Sequence, residues 1–341
     1  LIRLQGTTSK PAAYITFSGL DLGETDGFSP IGPWWTLGWG MTDRALIWMN
    51  LTESITIRNC RLANSGRHGV LMAGGNLNNR VEGCLVENMG VTGLKISNRR
   101  GNGPGQGTAY PSRGHVLTNN RVRNVGQLAL YASCIGIHCA SDNEVSYSDL
   151  RDSPRYAITM RGNTSGEQQD LFLIGFPAAE GNHFHHLLIS GMCHDGGDAG
   201  ALHAAGVNLA DGPHVNTFEQ IIIDAVEAVP GMQDIAPDAI FLDWPERTMG
   251  QVFRNISATN IQGEPMRGNR GENVTSAIRE NLSWLPGFNP ALIETGTIGV
   301  TADFPLEFSD DRHLPVVLAD SGSVTLPNNV VALAAGTIVP P

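Results

Sequence analysis

The feature that most constrains this fold is a repeated short run of alternating apolar and polar residues, as in YITFSGLDL, SITIRNCRL and NTFEQIIID. Successive runs lie 24 to 40 residues apart, and most carry a second apolar residue five positions after the first. Such spacing is typical of a solenoid, because turns absorb length differences while strands stay in register. The aligned positions are Phe17, Ile57, Val81, Leu117, Val145, Phe184, Phe218 and Val252, with partners Leu22, Leu62, Val86, Val122, Leu150, Ile189, Ile223 and Ser257.

A second short strand follows most runs: GVLM, GLKI, ALYA, AITM, ALHA and AIFL. Two or three strands per repeat, with few helical patterns, predict an all-β fold, a right-handed parallel β-helix of about eight coils in one domain. A β-propeller is disfavoured because it requires four strands per repeat. The coil pattern covers residues 1–285, and residues 286–341 are expected to form β-strands that cap the stack.

The charge of the chain restricts its partners. The formal net charge is −11, with no run of Lys or Arg, which argues against nucleic acid and anionic membranes as partners. No stretch approaches the ~20 apolar residues of a membrane helix. The opening residues LIRLQG resemble neither an initiator Met nor a leader, so we expect a piece trimmed from a longer precursor. The five cysteines form no CxxC metal motif and are expected either as up to two disulfides or as buried thiols.

Strand alternation predicts which side chains of the second strand face outward. If Leu94, Leu130, Ile158, Leu202 and Ile240 point into the coil, a polar and aromatic outer surface results, suited to a sugar polymer. Its predicted members are Lys95, Tyr131, Thr159, His203 and Phe241, followed two positions later by Ser97, Ser133, Arg161, Ala205 and Asp243.

Two acidic residues are the best candidates for catalysis on this surface. Glycosidic bond cleavage commonly uses two carboxylates, one as acid and one as nucleophile or base. Asp198 lies in the turn of SGMCHDGGDAGALHAAG, and Asp243 ends the strand of the next coil. Asp198 is seven residues before the point opposite Asp243, so only a bent turn brings them together. Asp195 and Asp238 are reserve candidates, although acids at such turns also cap backbone or bind a structural calcium ion.

Other side chains are assigned supporting roles. His203 is predicted as a catalytic acid or hydrogen-bonding group, and its exposure on a strand is the simpler alternative. Lys95 and Arg161 also suggest β-elimination on uronic acids, although they lie two coils apart.

A zinc site in NHFHHLL is disfavoured because alternation separates His186 from His183 and His185. The predicted substrate-binding residues are Arg161, Lys95, Tyr131, Asp195 and Trp244. Sugar stacking or capping is predicted for Trp34, Trp35 and Trp39, and a solvated or substrate-binding loop for Arg99, Arg100 and Tyr110.

The motifs DAGALH and, one coil later, AIFLDW follow coils such as ITIRNCRL and the segment SPRYAITMRGN. Together they resemble the β-helix enzymes of glycoside hydrolase family 141 over about residues 1–285. The resemblance implies that Asp198 and Asp243 are the catalytic acids. His203 and Trp244 replace a Tyr and an Asp of the family pattern, which leaves substrate and activity open.

The sequence thus predicts a secreted or periplasmic glycoside hydrolase, monomeric, that needs no cofactor and acts on xylan or a pectic side chain. Two alternatives stay open: a polysaccharide lyase that uses Lys95 or Arg161, and a non-catalytic glycan-binding β-helix.

Overall fold

The computed structural model describes residues 1–25, 44–98, 112–162, 179–205, 207, 215–231, 235–243, 251–264 and 266–268, together with the backbone of four short strands nearer the C-terminus. These residues form strands and turns, and none of them belongs to a helix able to cross a membrane. In chain order the strands are β1 (Ile2–Gln5), β2 (Ala12–Ala13), β3 (Thr16–Ser18), β4 (Asp21–Thr25), β5 (Ala45–Asn50), β6 (Thr52–Glu53), β7 (Thr56–Arg58), β8 (Arg61–Ser65), β9 (His68–Met72), β10 (Arg80–Glu82), β11 (Leu85–Met89), β12 (Leu94–Ser97), β13 (Val116–Thr118), β14 (Arg121–Arg123), β15 (Ser133–His138), β16 (Glu144–Ser153), β17 (Tyr156–Arg161), β18 (His183–Met192), β19 (Gly200–Ala205), β20 (Asn216–Val226), β21 (Asp238–Asp243), β22 (Gln251–Ile261), β23 (Met266–Gly268), β24 (Ile278–Glu280), β25 (Ser283–Trp284), β26 (Val316–Val317) and β27 (Ala332–Leu333).

Two long parallel sheets wrap around a common core, as a β-helix requires. The nine-stranded sheet runs β1-β5-β9-β12-β15-β17-β19-β21-β23, one strand per coil. The fourteen-stranded sheet takes the intervening strands, from β3 and β4 at one end to β24 and β25 at the other. The predicted parallel β-helix is therefore confirmed. The prediction that residues 286–341 cap the stack falls outside the described residues, apart from the backbone of β26 and β27.

The observed register confirms seven of the eight aligned positions. Phe17, Ile57, Val81, Leu117, Val145, Phe184 and Phe218 pair in succession, and so do their partners from Leu22 to Ile223. The eighth was wrong by one residue. Phe218 pairs with Phe253 and Ile223 with Ala258, whereas Val252 and Ser257 take the neighbouring positions.

A left-handed corner follows both aligned positions in every coil and explains the register. The residue two places after each aligned apolar residue has a φ between 47° and 68°. This conformation bends the strand, and Asn and Gly tolerate it best. The corner residues are Gly19, Asn59, Gly83, Asn119, Tyr147, His186, Gln220 and Asn255 in the first column, and Glu24, Asn64, Asn88, Asn124, Asp152, Gly191, Ala225 and Asn260 in the second.

A buried polar ladder runs inside the turn two residues before the first aligned column. Four backbone N–H groups in this column donate to the side chain one coil further on: Asn79 to His115 Nδ1 (3.1 Å), His115 to Asn143 Oδ1 (3.0 Å), Asn143 to Asn182 Oδ1 (3.1 Å) and Asn182 to Asn216 Oδ1 (2.8 Å). The ladder satisfies backbone donors that the sheets leave unpaired.

The rest of the interior is apolar. Two inward columns of the nine-stranded sheet, which include Ile158 and Met160, belong to the same buried cluster as Phe184 and Phe218. The rings of Phe184 and Phe218 stack with centroids 4.4 Å apart. All five cysteines are buried free thiols, so the disulfide alternative is wrong. The core forms from many small contacts between neighbouring coils.

One predicted strand was misplaced. The run ALYA is not the second strand of its coil, because Leu130 is 43% exposed and β15 begins three residues later. Ile135 takes the inward position predicted for Leu130, pairing with Leu94 and Ile158. Ser133 consequently pairs with Tyr156, and His138 pairs with Arg161.

The ladder predicts a large stability effect at Asn182. Its Oδ1 accepts from the backbone N–H and the Nδ2 of Asn143, and its Nδ2 donates to the Ala140 carbonyl at 3.1 Å. Asn182→Ala leaves these buried groups unpaired, so urea denaturation should show a loss of about 2–3 kcal/mol in the free energy of unfolding. Asn78→Gly, at an exposed left-handed position, is the control and should stay within about 0.5 kcal/mol. Equal losses in both variants would contradict a special role for the ladder.

Candidate active site

The candidate site lies on the outward face of the nine-stranded sheet, towards its C-terminal end. Strand pairing places one side chain from each coil side by side at the ~4.8 Å rung spacing. The first outward row is Arg3, Trp48, Leu71, Lys95, Gly136, Thr159, His203, Phe241 and Arg267. The second row holds Ser97, His138, Arg161, Ala205 and Asp243.

His203 and Asp243 come together as the alternation predicts. His203 Nε2 lies 3.8 Å from Asp243 Oδ2, and His203 Nδ1 lies 2.8 Å from Thr159 Oγ1. The ring of Tyr156 stacks on the imidazole with centroids 4.3 Å apart. His203 is 2% exposed, and burial lowers its pKa although Asp243 acts in the opposite direction. The imidazole is therefore neutral at pH 7, beside a carboxylate that keeps 17% exposure.

Asp198 is connected to His203 and Asp243 by way of Arg155. Its carboxylate, 48% exposed, lies 3.4 Å from Arg155 Nη2 and 3.9 Å from Arg267 Nη2. Arg155 also donates from Nη2 to the Asp198 backbone carbonyl and from Nε to Tyr156 Oη at 2.9 Å. Because Tyr156 stacks on His203, an unbroken series of contacts joins the two acids.

Arg155 and Tyr156 were missed by the sequence analysis. Arg155 lies in the turn before β17, and its guanidinium carbon is 3.9 Å from the ring centroid of Tyr131. Tyr131 was predicted on the outward row through the misplaced ALYA strand, but it reaches the site as the stacking partner of Arg155. Burial raises the pKa of Tyr156, with Arg155 opposing the shift, so its phenol stays protonated.

The reserve acids have different surroundings. Asp238 is 1% exposed and accepts hydrogen bonds from Arg267 Nε (2.5 Å) and from the Glu264 backbone N–H (2.8 Å). Burial raises its pKa to about 6, and the arginine counteracts the shift. These contacts make Asp238 an anchor for the next coil. Asp195 is half-buried in the turn before β19, where its backbone N–H donates to the Pro154 carbonyl.

Lys95 forms a second polar centre with a residue that the sequence analysis overlooked. Its Nζ lies 2.5 Å from His138 Nε2, in the space that Gly136 leaves open. A Cβ on Gly136 would stand 2.9 Å from that Nζ. Lys95 is 1% exposed, and burial, followed by the charge of Arg161, places its pKa well below the ordinary value. Lys95 and Arg161 are two coils apart, as predicted, with His138 between them.

Side chains that point outward on this face are not necessarily exposed to solvent. Lys95, His138, Arg161 and His203 are all at most 3% exposed, so the prediction of an open polar surface was wrong there. Around His203 the reason is lateral packing, because Tyr156 covers one side and Phe241 lies 5.6 Å away on the other. Within the described part of the site, Asp198 and Asp243 keep solvent access.

The histidine triplet lies on the other sheet. His186 occupies a left-handed corner, which turns its Nδ1 to 2.8 Å from His185 Nδ1, and His183 Nε2 contacts Glu219 at 2.7 Å. The alternation that separated His186 from its neighbours therefore fails at the corner. No group of three metal-ligating side chains occurs among the described residues. Trp244, the Trp34–Trp39 loop and the residues Arg99, Arg100 and Tyr110 lie outside them.

Comparison with known proteins agrees with this architecture. The family model described as the right handed beta helix region matches residues 45–224. The chain belongs to this family. Curated proteins gave no sequence match.

Comparison with solved structures gives matches at low sequence identity, and the match with a TM-score above 0.5 supports the fold. One titled glycoside hydrolase has a TM-score of 0.58 and 13% identity, over 86% of this chain and 51% of its own. The catalytic unit of a GH87 α-1,3-glucanase from Streptomyces thermodiastaticus strain HF3-3 has a TM-score of 0.49 and 14% identity, over 82% and 49%. A periplasmic alginate epimerase, AlgG, has a TM-score of 0.41 and 10% identity, over 69% and 46%. The chain spans about half the length of these proteins, and at such identities the likeness concerns the fold.

The contact between His203 and Asp243 predicts a pKa change that can be measured. Because Asp243 favours the charged imidazolium, Asp243→Asn should move the His203 pKa further down. NMR titration of the histidine Cε1–H signals in both proteins would measure the shift. His185, on the fourteen-stranded sheet, should titrate alike in both proteins. An unchanged His203 pKa would show that the two side chains do not interact.

Proposed function

We propose that this protein is a carbohydrate-active enzyme that hydrolyses glycosidic bonds with Asp198 and Asp243 as its two carboxylates. One observation carries the proposal. The two acids retain solvent access and are joined by the buried series Arg155, Tyr156 and His203. Because these three side chains are buried and packed against one another, they hold the two accessible carboxyl groups at a fixed separation. Catalysis by a carboxylate pair requires such a fixed separation.

The chemistry assigns a role to each part of this site. One carboxyl group protonates the departing glycosidic oxygen, and the other attacks the anomeric carbon or activates a water molecule. His203 and Tyr156 are neutral and buried, and His203 contacts Asp243, so they would hold the Asp243 carboxylate in position. Arg155, which contacts Asp198, would hold the second carboxylate in the same way.

Two sources support a polysaccharide substrate. The motifs DAGALH and AIFLDW resemble glycoside hydrolase family 141, and the β-helix fold is shared with a solved structure titled glycoside hydrolase. We therefore propose xylan or a pectic side chain as the substrate, and a monomeric enzyme that acts outside the cytoplasm. Of the residues predicted to contact substrate, we retain Tyr131, Asp195 and Trp244, because Lys95 and Arg161 are buried.

A matched set of variants tests the carboxylate pair. Asp198→Asn and Asp243→Asn remove one ionisable oxygen each with little change in volume, so release of reducing ends should fall about 10²–10⁴-fold. Asp142→Asn, at an exposed left-handed turn, is the control and should keep full activity. The assay is reducing-end release from a panel of purified xylans and pectins. Full activity in either site variant would refute the assignment, and binding without any release would favour a glycan-binding protein.

The contact between Lys95 and His138 favours a second candidate function, β-elimination on a uronate. A lysine with a strongly lowered pKa can accept the proton next to the sugar carboxylate at neutral pH, while the glycosidic oxygen departs and a C=C bond forms. We rank it second because Lys95 is 1% exposed, whereas both acids are accessible.

The two mechanisms give different products. If elimination operates, Lys95→Met should abolish the ultraviolet absorbance of an unsaturated uronate product, and Asp198→Asn should retain it. Gly136→Ala offers a second probe, since its Cβ would displace Lys95 from His138. Reducing ends without ultraviolet absorbance in the wild-type protein would exclude elimination.

A further inference from the structure

Two buried histidines hold one coil of the β-helix from its two sides. This coil, residues 76–98, contains β10, β11 and β12. Its backbone N–H at Asn79 donates to His115 Nδ1 (3.1 Å), which belongs to the following coil. Its backbone N–H at Thr92 donates to His68 Nδ1 (3.2 Å), which belongs to the preceding coil. We call residues 76–98 the clamped coil.

These two hydrogen bonds determine the protonation state of both imidazoles. A ring nitrogen that accepts a backbone N–H carries no proton of its own. In His115 the proton is therefore on Nε2, which lies 3.1 Å from Ser112 Oγ, so both nitrogens have a partner in the neutral ring. A second proton would remove the acceptor of the Asn79 N–H and would place a positive charge in the protein interior.

The surroundings of His68 oppose a positive charge on its ring. The side chain is fully buried, and burial lowers its pKa to about 3. The charged groups that face it are Lys95, on the clamped coil, and Arg67, which precedes it in the chain, and both act in the same direction as burial. Among the described residues, no carboxylate contributes to the pKa of this ring.

The surroundings of His115 are neutral. Burial lowers its pKa to about 3 as well. The charged residues of the adjoining segments lie at the surface, where Arg113 is exposed and Glu144 lies 3.6 Å from His185. The described groups that surround the ring are amides and a hydroxyl, from Asn76, Asn79, Ser112 and Asn143. Protonation of this ring is therefore uncompensated by the described residues.

Other connections between the same coils use amides, which do not titrate. The Ile55 N–H, on the preceding coil, donates to Asn79 Oδ1 at 2.9 Å. The Cys84 N–H donates to Asn120 Oδ1, on the following coil, at 3.0 Å. The coils that carry the candidate active site are joined by the amide ladder from Asn143 to Asn216. Acid would therefore act on the two histidine contacts of the clamped coil and leave these amide contacts in place.

We propose that the clamped coil is an acid-sensitive junction, at which protonation of His68 and His115 loosens the first coils from those that carry the candidate active site. The proposal does not depend on the proposed function. It concerns the Asn79 and Thr92 contacts, which are made only by neutral imidazoles.

The direction of the pH dependence follows from the two states of each ring. When the coil opens, an imidazole reaches water and regains its ordinary pKa of 6.5, whereas in the closed coil its pKa is about 3. The open state therefore binds more protons, and opening becomes easier as the pH falls. For one histidine, the opening equilibrium constant should rise about tenfold for each pH unit over this interval.

Amide hydrogen exchange of the full chain, followed by NMR, tests the junction at four amides. Between about pH 7 and about pH 4.5, the protection factors of Asn79 and Thr92, corrected for intrinsic exchange, should fall about 100-fold. The protection factors of Ile55 and Cys84, which donate to amides at the same interfaces, are the internal control and should change less than about threefold.

Two variants separate the histidines. His115→Asn introduces the amide that the ladder uses elsewhere, so the protection of Asn79 should no longer depend on pH, whereas the fall at Thr92 should remain. His68→Asn should have the opposite effect. Persistence of the fall at Asn79 in His115→Asn would contradict the proposal.

The wild-type protein decides the matter even where a variant does not fold. Its His68 and His115 Cε1–H signals should not titrate above about pH 4. Titration of either ring near its ordinary pKa would overturn the proposal. Constant protection at Asn79 and Thr92 would also overturn it, and so would an equal fall at Ile55 and Cys84, since that would indicate general acid unfolding.

Discussion

The structure depends on keeping every coil in register with the next, and the left-handed corners supply this constraint. Each coil bends at a residue with positive φ two places after an aligned apolar residue. A slip by one residue would turn inward side chains outward and would move the Asn and Gly residues, which tolerate positive φ best, away from most of the corners. The polar ladder from Asn79 to Asn216 adds a second requirement, because each acceptor, the His115 imidazole or an Asn amide, accepts from the backbone of the coil beside it. The outward rows that hold the candidate site are consequences of this register.

Much of this register could be predicted from the sequence. Two predictions were wrong, the alignment of Val252 and the strand ALYA. Alternation alone chose Val252, where two apolar residues stand side by side. The corner asparagine two places after Phe253, and Gln251 two places before it at the ladder position, select Phe253. The strand ALYA was chosen for its apolar residues, whereas β15 carries Gly136 and His138 outward and looks less like a strand. A glycine is needed at position 136 because the Lys95 side chain, one coil away, fills the space that a Cβ would take. The sequence around Gly136 does not show this contact.

The sequence predicted which side chains of the candidate site face outward, but not how deeply they are buried. Alternation placed His203, Arg161 and Asp243 on the outer face, and the structure agrees. It could not show that His203 is buried, because burial comes from side chains of other coils, such as Tyr156. Arg155 was missed because a turn residue has no alternation to give its direction. The series of contacts that joins Asp198 to Asp243 could therefore not be predicted from sequence spacing, because it depends on how side chains of different coils pack.

The two sheets use their basic residues in different ways. On the fourteen-stranded sheet, Glu87 lies between Arg61 and Arg123, and Asp149 lies between Arg121 and Arg151. Three of these ion pairs join neighbouring coils, and the pair of Arg151 with Asp149 lies within one strand. In all four, a carboxylate neutralises an arginine.

On the outward face of the nine-stranded sheet, basic side chains from neighbouring coils are buried side by side. Lys95 contacts His138, and burial, followed by the charge of Arg161, lowers the pKa of Lys95. Burial also lowers the pKa of His203. Burying basic groups in this way costs stability, and such a cost is typically found where a protein binds or transforms a ligand.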